Sequence, residues 1–222
     1  NPETTSVDGY VQYNPAAGTW AALRGGAGNG AGDTDASFPV IYLENNLGTS
    51  AGWVNMVRGV FLFDTSSLND SATVDAATLS LYVGSKGDNF AQNVGVVGST
   101  PASNTALVAA DFTQLGTTRY VTTDLDLTTI TTSAYNDWVF NATGISNVSK
   151  TGVSKFGLRC SGDIDNVEPT VANAVASLNV NLADAAGTTT DPKLVVTYSL
   201  PATTNQLKYY RRIRFPGAVT GL

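Results

Sequence analysis

The sequence has no histidine, one cysteine (Cys160), and charged side chains at only 14% of its 222 positions. Without histidine, no Ser-His-Asp or Cys-His centre can be built, and the commonest neutral metal ligand and pH switch is missing. A lone cysteine excludes an intrachain disulfide. Cys160 closes the apolar stretch in "KFGLRCSGD" and reads as a small buried residue, not a reactive one. No run approaches the roughly 18–20 apolar residues of a membrane-spanning helix. No segment reads as a signal peptide, and "NPETTSVDG" reads as a processed terminus or a cut boundary.

What is present points to strands. Thr, Ser, Val, Gly and Asn dominate while Glu and Lys are scarce, a balance that favours strands and turns over helices. Hydrophobic content of 42% lies far from the disordered class. A chain of this length can bury about 70% of its unfolded surface, so it needs no disulfide or metal to hold a core. Short β-branched runs alternate with turn clusters, predicting strands over 8–13, 39–44, 54–63, 77–83, 93–98, 119–127, 137–142, 154–159, 176–182 and 192–200. In "TLSLYV", Leu79, Leu81 and Val83 alternate with Ser80 and Tyr82, the pattern of a half-buried strand. "TSAYNDW" and "GISNVSK" offer at most a turn or two of helix each. The five-glycine stretch 23–37 reads as a surface loop; it lacks the Gly-Lys-Ser/Thr ending of a phosphate loop. The fold expected is all-β: one jelly-roll-type β-sandwich over 1–200, a linker at 201–206 and a short extended arm at 207–222.

The run "RGVFLFDTSSLNDSATVDAATLSLYV" (58–83) carries a family resemblance. So do "STPASNTALVAADF", "SAYNDWVFNATGIS", "SKTGVSKFGLR" and the closing "DPKLVVTYS". Together they resemble the DNRLRE-type domains over about residues 38–200. These are β-sandwich modules similar to carbohydrate-binding modules, found in secreted, cell-surface and phage-encoded proteins. The resemblance implies a fold and a surface setting, and supplies no catalytic residues. Read from the residues alone, Phe61 and Phe63 face one side of a central strand and Val60 and Leu62 the other. Asp64, with Ser66 and Ser67, caps the following turn.

Candidate chemistry is thin. "GTSAG" matches G-x-S-x-G around Ser50, but no histidine exists to take its proton. Glu44, Asp64, Asp163, Asp165 and Glu168 could supply a glycosidase pair, yet no spacing singles one out. "DIDNVE" gathers Asp163, Asp165, Asn166 and Glu168, an oxygen-rich loop that would suit a structural Ca²⁺; otherwise it is a solvated acidic turn. No other cofactor is expected. Trp20 and Trp53 flank Gly-rich loops and are the candidates for an exposed sugar-stacking platform, whereas Trp138 reads as core. Asn69, Asn141 and Asn147 begin N-glycosylation sequons.

The last 17 residues, "QLKYYRRIRFPGAVTGL", concentrate Lys208, Arg211, Arg212 and Arg214 with no acid. The rest of the chain holds eight basic and 18 acidic residues, a net charge of −10. As a strand, the arm puts Leu207, Tyr209, Ile213 and Phe215 on one side with Arg211, and Tyr210, Arg212 and Arg214 with Lys208 on the other. Such a strip suits contact with another copy or a scaffold protein, or closure of the chain's own sheet edge. Nucleic acid is a poor partner for so acidic a body. The function expected is a non-enzymatic structural or interaction subunit of an extracellular, cell or virion surface. A carbohydrate-binding module is the alternative and a glycoside-active enzyme the third reading.

Overall fold

Among the described residues, the β-branched runs and the turn residues between them produce thirteen strands and three one-turn helices. The computed structural model describes residues 4–201 and the backbone of a strand at 211–215. In chain order the elements are β1 (Asp8–Tyr13), α1 (Trp20–Arg24), β2 (Gly30–Gly32), β3 (Ser37–Asn45), β4 (Trp53–Asp64) and β5 (Thr73–Asp88). Then come β6 (Asn93–Ser99), a 3-10 turn (Ala109–Gln114), β7 (Leu115–Arg119), β8 (Leu125–Asp126), β9 (Ala134–Val139) and α2 (Ala142–Ser146). The remainder are β10 (Val153–Cys160), α3 (Ser161–Asp165), β11 (Ala174–Asn181), β12 (Lys193–Ser199) and β13 (Arg211–Phe215).

The fold is all-β and sandwich-like, and every described strand pair is antiparallel. The ladder runs β13-β12-β5-β11-β3-β4-β10-β6-β7, with β1, β2, β8 and β9 attached beside it. Two long strands make this possible. Residues 53–58 of β4 pair with β3 and residues 59–64 with β10, while β1 lies along 56–61. In β5, residues 73–80 pair with β12, 83–88 with β11, and 78–83 with β9. Each long strand thus hands the sheet from one neighbour to the next.

β4 can do this because it is apolar on both faces, as its sequence predicts: Val60, Phe61, Leu62 and Phe63 are all buried. Trp138 is wholly buried and donates from Nε1 to the Val94 carbonyl at 2.8 Å, joining β9 to β6. Phe140 meets Phe156 of β10 edge-on at 4.9 Å. The predicted cap forms through Ser66: Asp64 accepts from the Ser66 backbone N–H (3.0 Å) and hydroxyl (2.6 Å); among the described residues no such bond involves Ser67.

Four local expectations are corrected. The run 119–127 is broken: β7 ends at Arg119 and β8 is two residues, with an isolated Val121–Phe140 bridge between them. "TSAYNDW" is largely β9, because Leu79 and Leu81 of β5 provide an apolar edge for it. The glycine-rich stretch is no free loop. Leu23 is fully buried, β2 pairs with β1, and Gly28 (φ 81°) leaves no room for a Cβ against the Ala109 carbonyl. "DIDNVE" begins inside α3, with Asn166 in the left-handed conformation at its C-cap.

Candidate functional site

The acidic segment after β10 is where sequence and structure diverge most. Asp163 is buried and takes two guanidinium forks. Arg58 of β4 donates to Oδ2 and Oδ1 at 2.8 Å each, and Arg159 of β10 to the same oxygens at 2.7 and 2.6 Å. Arg24 of α1 donates to the Asp163 carbonyl at 2.7 Å. Burial alone would raise the Asp163 carboxyl, but Arg58 and Arg159 hold it below the ordinary carboxylate range. Arg58 also donates to the Phe112 carbonyl (2.6 Å) and lies over the Phe112 ring, and Arg159 reaches the Leu115 and Gly116 carbonyls. The cluster pins β4, β10, α1, α3 and the 3-10 turn together. Cys160 beside it is an inert thiol, pushed up to about 12 by burial and by Asp163.

The other oxygens of the expected Ca²⁺ set have gone elsewhere. Asp165 accepts both Nη atoms of Arg119 at 2.6 and 2.8 Å. Glu168 accepts the Trp53 indole N–H at 2.7 Å. The structure therefore does not bring Asp163, Asp165, Asn166 and Glu168 together around a point. Among the described residues no group of three or more acidic or cysteine side chains is arranged to hold a metal ion.

The aromatic platform is also corrected. Trp20 is 5% exposed and Trp53 fully buried, their rings edge-on at 5.1 Å with Phe90 against Trp53 at 5.3 Å. Thr19 caps α1 and turns Trp20 inward, while the Gly18–Trp53 bridge draws the two segments together. Ser50 sits in the turn joining β3 to β4, not at a strand-to-helix elbow; Asn45 organises that turn by accepting from the Leu47 and Gly48 N–H groups. Asn141, in a sequon, donates its amide to the Arg119 and Val121 carbonyls.

What remains is the sheet edge at β12. Leu194 and Val196 are fully buried and Tyr198 nearly so, while Lys193, Val195 and Thr197 between them are half-buried. β5 covers one side of this strand. On the other side lies β13, in register Tyr198↔Arg211, Thr197↔Arg212, Val196↔Ile213, Val195↔Arg214 and Leu194↔Phe215. Ile213 and Phe215 therefore stand opposite buried residues of β12, and Arg212 and Arg214 opposite its half-buried ones. This is the period-2 pattern visible in the arm's sequence. The linker after Pro201, and Leu207, Lys208, Tyr209 and Tyr210 of the arm, lie outside the described residues. No known protein family and no curated protein matches the chain. The candidate site thus stands on geometry alone: an edge strand and the basic strand registered against it. No helix of the described residues is long and apolar enough to cross a membrane.

Proposed function

We propose that the chain is a non-enzymatic structural subunit that assembles by strand addition, its C-terminal arm serving as the added strand. The observation carrying this is the β12–β13 register. β12 offers a row of backbone donors and acceptors, a template for any compatible strand. β13 matches it residue for residue at the end of an 11-residue connection, 200–210. Eleven residues can span up to about 36–40 Å when extended. The same pairing can therefore be made to the chain's own β12 or to that of a second copy, without altering either surface. The charge division suits this pairing in either form, because a basic arm meets an acidic body.

The wider setting belongs to the same proposal: a jelly-roll module similar to the DNRLRE-type domains, displayed on an extracellular, cell or virion surface as a decoration, fibre or filament protein. The sequence motifs over 38–200 and the sandwich-like topology support it.

Light scattering on the full chain and on a chain ending at Leu200 tests the reading. Oligomers from the full chain and monomers from the shortened one, both folded by circular dichroism, are the expected result. Two folded monomers would overturn assembly through the arm.

A further inference from the structure

β6 pairs with β7 on one side and β10 on the other, and a groove opens where these three strands end. Its volume is about 370 Å³, and its lining combines Ser99, Thr118, Tyr120, Asn147 and Lys155 with Gln114 at the rim. No acidic residue lines it, although the chain carries 18.

Three side chains here are chemically unspent. Lys155 has no hydrogen bond, ion pair or ring partner among the described residues, whereas the other seven cations of residues 4–201 each have one. Ser99 is 6% exposed and its hydroxyl, enclosed in the groove wall, finds no partner among the described residues. Tyr120 is half-buried, its ring edge-on to Phe156 at 6.4 Å, and no described residue bonds its hydroxyl. Gly98 makes its position possible: a Cβ there would come within 2.4 Å of the Tyr120 Oη.

We propose that this groove binds a single carboxylated sugar unit. The Lys155 ammonium pairs with the carboxylate, Tyr120 gives ring surface to the sugar's C–H face, and the hydroxyl and amide rim meets its hydroxyls. The volume sits at the lower end of the roughly 300–1,000 Å³ usual for small-molecule sites, which selects one unit over an extended chain. The net −10 body also repels a long polyanion, so a lone acidic unit or a chain end fits best. A simple carboxylate would satisfy Lys155 and leave the rim unused; a neutral sugar would do the reverse. The site is independent of the arm. Sequence reading missed it because its residues come from three separated segments, 98–100, 114–120 and 147–155, and none contains a tryptophan.

The test is an amide chemical-shift titration of the full chain with D-glucuronate, D-glucose and acetate. Glucuronate is expected to give saturable shifts confined to those three segments, with Kd on the order of 1 mM. Glucose and acetate should each bind at least about tenfold more weakly. Lys155→Gln should abolish the preference for glucuronate over glucose while leaving the remaining spectrum in place. Lys86→Gln, on β5, should change nothing. Absence of saturable shifts, acetate binding as tightly as glucuronate, or a preference that survives Lys155→Gln would each overturn the proposal.

Discussion

Asp163 shows how much one side chain can hold together. Two arginines share its carboxylate in a buried site, so neither would keep its partner if the acid were lost. Removing one member of such a cluster costs about 3–5 kcal/mol, because buried charge is left uncompensated. Asp163→Ala should therefore lose about that much in urea unfolding. Asp165→Ala breaks an ion pair of equally good geometry, but its carboxylate is 47% exposed and water replaces the arginine. The expected loss there is about 0–1 kcal/mol, and equal losses for the two variants would refute the hub. Asp8 makes a different prediction. Burial raises its carboxyl to about 7, with Asp184 and Asp191 adding repulsion against a bond from the Ala183 N–H. The folded chain then holds a proton that the unfolded chain releases near its ordinary value of 3.8. Between these two values stability falls as pH rises. Melting temperature should decline from pH 5 to pH 7, and Asp8→Asn should flatten the slope. A slope unchanged in the variant would remove Asp8 as its source. Neither role was legible in the sequence. "DIDNVE" showed oxygens in a row, whereas Arg58 lies 105 residues away and only topology brings it near.

At the scale of elements, period and turn chemistry carried most of the information. β1, β4, β6, β10 and β12 lie within a residue or two of their predicted spans, because each alternates or is wholly apolar between turn residues. Several misses share one cause. α1, β2, β7 and β8 are short pieces whose form is set by a neighbour, such as β1 for β2 and β6 for β8. A local pattern cannot report a neighbour that is distant in sequence. β13 was legible as an amphipathic strip but not as to its partner. Its pairing predicts slow amide exchange on β12. Residues of β12 that bond toward β13 should exchange far faster in a chain ending at Leu200, while those bonded to β5 keep their protection. Hydrogen exchange followed by mass spectrometry or NMR separates the two sets. If both are equally protected in the two chains, β13 does not occupy that edge.

Across the whole molecule, two electrostatic effects compete whenever copies meet. The full chain carries −6 and repels its like, while its +4 arm is drawn to a −10 body. The two act over different distances, so salt tells them apart. At 0.01 M salt the screening length is about 30 Å, and each copy feels the other's net charge. Near 0.1 M it is about 10 Å, which hides the net charge but leaves arm and edge attracting at close range. At 1 M it is about 3 Å and both effects are gone. The rate of assembly, followed by time-resolved light scattering, should therefore pass through a maximum near 0.1 M. The final mass should change less, since backbone pairing and the buried face of β12 are not charge-dependent. A rate that rises steadily with salt would show that the arm's charges contribute nothing to encounter. A steady fall would show that the bodies do not repel, and that attraction between arm and edge alone sets the rate.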